Sequence, residues 1–155
     1  MSRALLTLIC GAVLTGCTAL ASLGVRTEGT SGPIAWHVTD LKLEEARGTY
    51  SFTLVLQETQ GNPLTFTYRK DTRYAVNVTV LQSVDQAIRL RLRSHEERRL
   101  PLTFSWRCPA GNCLETRGIA PMWTIELTGM DDKGNPVKAR IDIKLPPNPD
   151  TYRKP

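Results

Sequence analysis

An alternation of apolar and polar residues with a period of two runs through most of this 155-residue chain. The pattern is clear in residues 50–57, where Tyr50, Phe52, Leu54 and Leu56 alternate with smaller or polar residues. Successive side chains of a β-strand point to opposite faces, so such alternation predicts half-buried strands. The sequence therefore predicts an all-β fold: an antiparallel β-sandwich of about seven to nine strands over residues 34–146.

Turn residues predict how some of these strands connect. Gly, Asn and Pro at residues 61–63 predict a hairpin between segments 50–57 and 64–69, and residues 131–136 predict another between 123–127 and 137–145. Asp40 is expected to bend the first strand. The alternation also places Leu64, Phe66 and Tyr68 together on the core side of one strand.

The N-terminus combines one cation, Arg3, with an apolar run over residues 4–14 that is too short to span a bilayer. The run ends in Leu14-Thr15-Gly16-Cys17, which resembles the lipobox of bacterial lipoproteins. That resemblance implies a signal peptide over residues 1–16 and lipidation of Cys17. The remaining chain then divides into a flexible tether over 17–33, the sandwich, and an extended Pro-rich tail over 147–155.

The strand pattern resembles the immunoglobulin-like or transthyretin-like sandwiches found in envelope lipoproteins. Together, the two resemblances imply a cell-envelope location, with the chain held to a bilayer through acylated Cys17. Thr18, rather than Asp, follows that cysteine, which favours the outer membrane, facing the periplasm. Loss of Arg3 lowers the formal net charge from +5 to +4, a mild value that argues against a nucleic-acid partner.

The lipoprotein resemblance leaves Cys108 and Cys113 as a pair, because Cys10 lies in the signal and Cys17 is acylated. In an oxidising envelope the pair is most simply a disulfide closing a short loop. A redox-active or metal-binding pair is the alternative, although the spacing is not Cys-x-x-Cys.

The sequence contains few residues or motifs that indicate catalysis. His37 and His95 are the two histidines, and no motif links either to a nucleophile. Asp131 and Asp132 lack the spacing of a calcium loop, and turn chemistry explains them. We therefore predict no catalytic residues, no metal and no cofactor.

Two surfaces are candidates for binding. Arg89, Arg91 and Arg93 alternate with apolar residues, so a strand would align them for an anionic partner. The alternative is a solvated face balanced by acids such as Glu58 or Glu126. The second surface is the loop 109–122, whose candidate protein contacts are Leu114, Ile119 and Met122; these residues could equally cap the sandwich. The tryptophans Trp36, Trp106 and Trp123 are in phase with apolar neighbours and are assigned to the core.

The functional hypothesis is a non-enzymatic envelope lipoprotein that binds or scaffolds a membrane, periplasmic or cell-wall partner. The alternative is a small inhibitor or chaperone-like protector acting through loops or an edge strand. A hydrolase with an unrecognised site is a third and weaker hypothesis.

Overall fold

A computed structural model describes residues 25–44, 49–74, 80–105 and 122–146. These ranges form eight β-strands and no helix, and the predicted all-β class is confirmed. The strands are β1 (Glu28–Ser31), β2 (Ile34–Glu44), β3 (Thr49–Glu58), β4 (Leu64–Tyr74), β5 (Val80–Leu92), β6 (Glu97–Ser105), β7 (Met122–Asp131) and β8 (Pro136–Lys144).

The strands form two antiparallel sheets of four, in the orders β1-β2-β3-β6 and β5-β4-β7-β8. The predicted sandwich is therefore confirmed, with a strand number inside the predicted range. The chain passes from one sheet to the other between β3 and β4 and returns between β5 and β6. Such crossings between sheets are common in sandwiches with Greek-key connections.

The predicted hairpin between segments 50–57 and 64–69 is wrong. Those segments are β3 and β4, which belong to opposite sheets. The residues between them do form a turn, with Gly61 at a φ of 77°, but this turn carries the chain across the sandwich. By contrast, the hairpin of β7 and β8 is confirmed, with Gly134 at a φ of 83° in its turn.

The apolar faces of both sheets meet in one core. Its largest fully buried side chains include Trp36, Tyr50, Phe66, Ile125 and Ile141. Trp123 is also buried and contacts Phe52 and Phe104, so two of the three tryptophans lie in the core as predicted. Trp106 lies outside the described residues.

The two sides of the sandwich differ. On one side, β1 lies beside β8, and Arg26 and Lys144 exchange two backbone hydrogen bonds of 2.9 Å. The predicted tether over 17–33 is therefore wrong in its last part, because Glu28–Ser31 pair with β2. Residues Glu28–Ser31 show no apolar alternation, but the backbone hydrogen bonds that pair a strand with its neighbour do not require an alternating sequence. On the other side, β5 and β6 are the outer strands of their sheets, and we call this the open side.

An irregularity in β4 reverses which of its residues face the core. Phe66 pairs with Gly129 and Tyr68 pairs with Thr128, so Thr67 is an extra residue relative to β7. Such a bulge shifts the phase of the strand. Tyr68 is consequently 40% exposed, and its predicted core position is wrong. The following inward positions are held by charged residues.

The bulge also explains the glycine opposite it. A Cβ on Gly129 would lie 2.0 Å from the carbonyl oxygen of Thr65 and 2.6 Å from Cα of Phe66. Only a residue without a side chain permits this approach of the two backbones.

Candidate binding site

An apolar crevice lies on the open side of the sandwich, between the sheets. Its volume is about 210 Å³, and residues from five strands line it. The apolar lining is Leu54, Leu56, Ile88, Leu90, Leu100, Ile125 and Leu127. Arg69 and Arg89 complete the wall, so the crevice combines an apolar interior with cationic side chains.

The position of Arg89 at the crevice follows from a second irregularity. Leu90 pairs with Phe66 and Ala87 pairs with Tyr68, so Ile88 and Arg89 together oppose the single residue Thr67. In a regular strand Ile88 and Arg89 would point to opposite faces. Here both contribute to the crevice wall, together with Leu90.

The outer edge of β5 is free of any described strand. β5 pairs only with β4, and its 13 residues make it the longest of the eight strands. From Val80 to Ile88 its single charged residue is Asp85, which accepts a 2.5 Å hydrogen bond from the Tyr68 hydroxyl. Val80 and Val84 are 53% and 41% exposed. Unpaired N–H and C=O groups along such an edge are a template for another strand.

The other outer strands in the described ranges are protected. β1 and β8 lie beside each other and are joined by the Arg26–Lys144 bridge. β6 carries Pro101, which has no N–H, and the charged residues Arg98 and Arg99. Charges and proline are features by which natural edge strands avoid pairing. β5 is therefore the described edge that is best suited to accept a strand.

Next to the crevice, the inward face of β4 carries a polar cluster around Asp71. The Asp71 carboxylate accepts hydrogen bonds from Arg69 Nη2 at 2.8 Å, Trp123 Nε1 at 3.0 Å and Gln86 Nε2 at 3.2 Å. Asp71 is 7% exposed, so these three donors satisfy a buried charge. In contrast, Arg69 Nε is buried with no hydrogen-bond partner.

Arg73 extends this cluster on the same face of β4. Its guanidinium lies 4.9 Å from the ring centre of Trp123 and 5.3 Å from that of Phe104. Nη1 donates a 3.0 Å hydrogen bond to Gln82. Burial lowers the pKa of Arg73, but an arginine stays protonated in proteins, and the aromatic faces offset part of its lost hydration.

The predicted arginine row is only partly on β5: Arg89 and Arg91 lie in the strand, whereas Arg93 follows its last residue, Leu92. The acidic partners expected for the row are wrong. Arg91 Nη2 lies 3.4 Å from Asp132 Oδ2. Glu58 is buried in a turn, and Glu126 lies 3.8 Å from Arg140 instead. The strand pattern of the sequence does not predict these pairs, because they depend on how the turns place their side chains relative to the strands.

The outer two members of the row have no ion pair among the described residues. Arg89 and Arg93 are exposed, and each side chain lacks an acidic partner in those ranges.

Glu58 joins two turns at one end of the sandwich. Its carboxylate accepts hydrogen bonds from the backbone N–H groups of Gln60 at 2.6 Å, Gly61 at 2.8 Å and His95 at 2.9 Å. Burial by itself raises its pKa, but the hydrogen bonds from these residues and from Asn62 outweigh that effect. The pKa of Glu58 therefore lies below its ordinary value of 4.5.

Of the remaining predicted site residues, the structure describes only some. Cys17, Cys108, Cys113, Leu114 and Ile119 lie outside the described residues. Their predicted lipidation, disulfide and protein contacts stay predictions.

Met122 was expected in a loop. Instead it is the first residue of β7, half-buried and paired with Tyr74 and Lys144. Its loop assignment is therefore wrong, because pairing with both neighbours extends β7 to this residue.

Both histidines are exposed, and His95 adopts a φ of 56° in the turn that Glu58 joins. Within the described ranges, no three His, Cys, Asp or Glu residues come together as a metal site. No helix in those ranges has the length and apolar character needed to cross a membrane.

Sequence reasoning missed the Asp71 cluster, the crevice and the outer edge of β5, with which no described strand pairs. A strand that reads Arg-Lys-Asp-Thr-Arg over residues 69–73 has no apolar alternation to indicate an inward face. A possible signal was Gly129, an isolated glycine within a strand, which often marks a bulge or a close backbone approach.

Comparison with known proteins supports the fold and no more. No known protein family and no curated protein matches this sequence. A Northeast Structural Genomics Consortium target solved by X-ray crystallography is similar over 76% of this chain and 89% of its own, with 10% identity and a TM-score of 0.51. The chain thus belongs to the class of all-β sandwich proteins.

Two further structures are more distant. The putative ApaA protein of Bordetella pertussis is 14% identical, with a TM-score of 0.44, over 79% of this chain and 98% of its own. β-Glucuronidase 2 of Bacteroides uniformis is 12% identical, with a TM-score of 0.35, over 74% of this chain but 13% of its own.

Proposed function

We propose that this protein is a non-enzymatic envelope lipoprotein that binds an extended segment of a partner protein by adding it as a strand to β5. The observation that carries the proposal is the free edge of β5. Its register with β4 is continuous over residues 82–87, and no described strand pairs with its other edge. Strand addition to an exposed sheet edge is a recurrent mode of peptide recognition.

The anchor part of the proposal rests on the resemblance of Leu14-Thr15-Gly16-Cys17 to a lipobox. Eight residues, 18–25, separate Cys17 from Arg26, whose backbone is bonded to Lys144. If this part of the predicted tether is a random coil, eight residues would span about 15 Å. The end of the sandwich with Arg26 and Lys144 would then face the membrane, and the turns around Glu58 would face away from it.

Amide hydrogen exchange tests strand addition. In the isolated domain, every second backbone N–H of β5 should exchange rapidly, because those groups point away from β4. Adding a neutral peptide of alternating Thr and Val should slow these amides and leave those of β8 unchanged. If the outward amides of β5 are already protected in the dilute free protein, the edge is covered and the proposal is wrong.

The same edge supports the second candidate, an inhibitor or chaperone-like protector. The two functions differ in their need for the anchor. A chain that starts after Cys17 should still protect a partner in solution if the protein acts as a chaperone, whereas a membrane scaffold should lose its function. Cell fractionation of Cys17→Ser tests the anchor separately: persistence in the membrane after a high-salt wash would show that lipidation is not what holds it.

A further inference from the structure

We propose that the crevice on the open side receives an apolar side chain of an acidic partner strand and that Arg89 binds a carboxylate of that strand. This inference rests on the proposed function, because it names the chemistry of the segment that pairs with β5. It is carried by the crevice, the unpaired cations beside it and the adjoining free edge.

Position favours a strand as the occupant. The crevice is lined by Ile88 and Leu90 of β5 and by Leu100 of β6, the outer strands on the open side. A strand added to β5 would continue its sheet on this side, and every second side chain would face the gap between the sheets. The crevice is therefore where an inward side chain of the added strand would arrive.

Size points to the same occupant. At about 210 Å³ the crevice is smaller than the roughly 300–1,000 Å³ of a typical small-molecule site. An apolar cavity of about 150 Å³ is known to accept a benzene molecule. One large apolar side chain, such as leucine or phenylalanine, matches the available space better than a drug-sized ligand does.

The unpaired cations on the open side indicate a negatively charged partner strand. Of the cations on this side, Arg91, Arg98 and Arg99 are matched by Asp132, Glu96 and Glu97. Arg89 and Arg93 have no acidic partner in the described ranges, and Arg89 itself lines the crevice. Arg69 Nε, in the same wall, is buried and lacks an acceptor. A strand carrying carboxylates on the same face as its apolar residue would complement these groups.

The test uses three synthetic peptides of about nine residues, a common strand length. All alternate Thr and Val around a central Leu, and the residues two positions before and after that Leu, whose side chains lie on its face of the strand, are Asp, Asn or Lys. Their affinities for the protein are measured by calorimetric titration at low and high salt. We expect the Asp peptide to bind at least about tenfold more tightly than the Lys peptide at low salt, with a smaller ratio at high salt.

Substitutions in the protein and in the peptide test the contribution of charge and the contribution of the crevice separately. Arg89→Gln should reduce the ratio between the Asp and Lys peptides several-fold and leave binding of the Asn peptide unchanged. Arg140→Gln, on β8 at the opposite side of the sheet, is the matched control and should preserve the ratio. Replacing the central Leu of the Asp peptide by Ser should weaken binding without any change to the protein.

The outcomes distinguish this inference from the proposed function. If the Asn peptide protects β5 amides but the Asp and Lys peptides bind equally, strand addition stands and the acidic partner is overturned. If no peptide protects β5, both are overturned. The inference also fails if decanoate, rather than any peptide, shifts the crevice methyl signals, or if β5 becomes protected merely on raising the protein concentration, which would indicate a second copy.

Discussion

Replacing Glu58 by Gln tests whether a buried carboxylate joins the turns at one end of the sandwich. The change keeps the shape of the side chain and removes its charge. Oε1 of Glu58 accepts from Gln60, and Oε2 accepts from Gly61 and His95. An amide oxygen in the Oε2 position keeps two of these bonds, and the amide nitrogen then faces the remaining N–H donor.

The magnitude follows from these three bonds. Hydrogen bonds to a charged group contribute about 1.5–3 kcal/mol and neutral ones about 0.5–1.5 kcal/mol, so each retained bond weakens by about 1 kcal/mol. A buried donor without an acceptor costs about 1–3 kcal/mol more. Burying a neutral amide in place of a carboxylate offsets part of this loss. We expect a net decrease of about 2–3 kcal/mol in the free energy of unfolding.

The assay is urea unfolding at a series of pH values, followed by tryptophan fluorescence. Because Glu58 has a lower pKa in the folded state, its stabilising effect is complete above the unfolded value of about 4.5 and is lost as the pH falls through the folded value. The difference between wild type and Glu58→Gln should therefore be constant near neutral pH and shrink in acid.

Glu97→Gln provides the matched control. Glu97 is an exposed carboxylate on β6 whose partner is Arg99 at 3.0 Å. Removing an exposed pair should change stability by less than about 1 kcal/mol. Equal effects of the two substitutions, or a Glu58→Gln difference that persists unchanged at acid pH, would refute the reasoning.

Three further changes have expected outcomes. Gly129→Ala should destabilise the fold by about 3 kcal/mol, because the new Cβ would lie 2.0 Å from the Thr65 carbonyl oxygen; an unchanged urea midpoint would contradict this. Asp71→Ala should cost about 3–5 kcal/mol in urea unfolding, since it leaves buried donors unpaired, including Trp123 Nε1, and a loss below about 1 kcal/mol would refute it. Arg91→Glu should change thermal stability by less than about 1 kcal/mol, because its contact with Asp132 is exposed; a larger loss would show that the pair contributes more than its geometry suggests.

The surface proposed to bind a partner depends on where the apolar alternation of the sequence is interrupted. In β4 the apolar pattern of Leu64 and Phe66 stops at the bulge, and Arg69, Asp71 and Arg73 follow on the inward face. A regular strand would have placed these charges in solvent and Tyr68 in the core. The bulges thus place Arg69 and Arg89 in the wall of the crevice, and they do so through backbone register rather than composition.

The sequence alone determined the fold class, most of the core and the hairpin of β7 and β8, because side-chain alternation and turn chemistry are local properties. It also supplied the lipobox resemblance at Cys17. Only the tertiary structure decided that β3 and β4 lie in opposite sheets, that Glu28–Ser31 form a strand and that no described strand pairs with the outer edge of β5. These features depend on contacts between segments far apart in the chain, which leave no periodic signal in either segment.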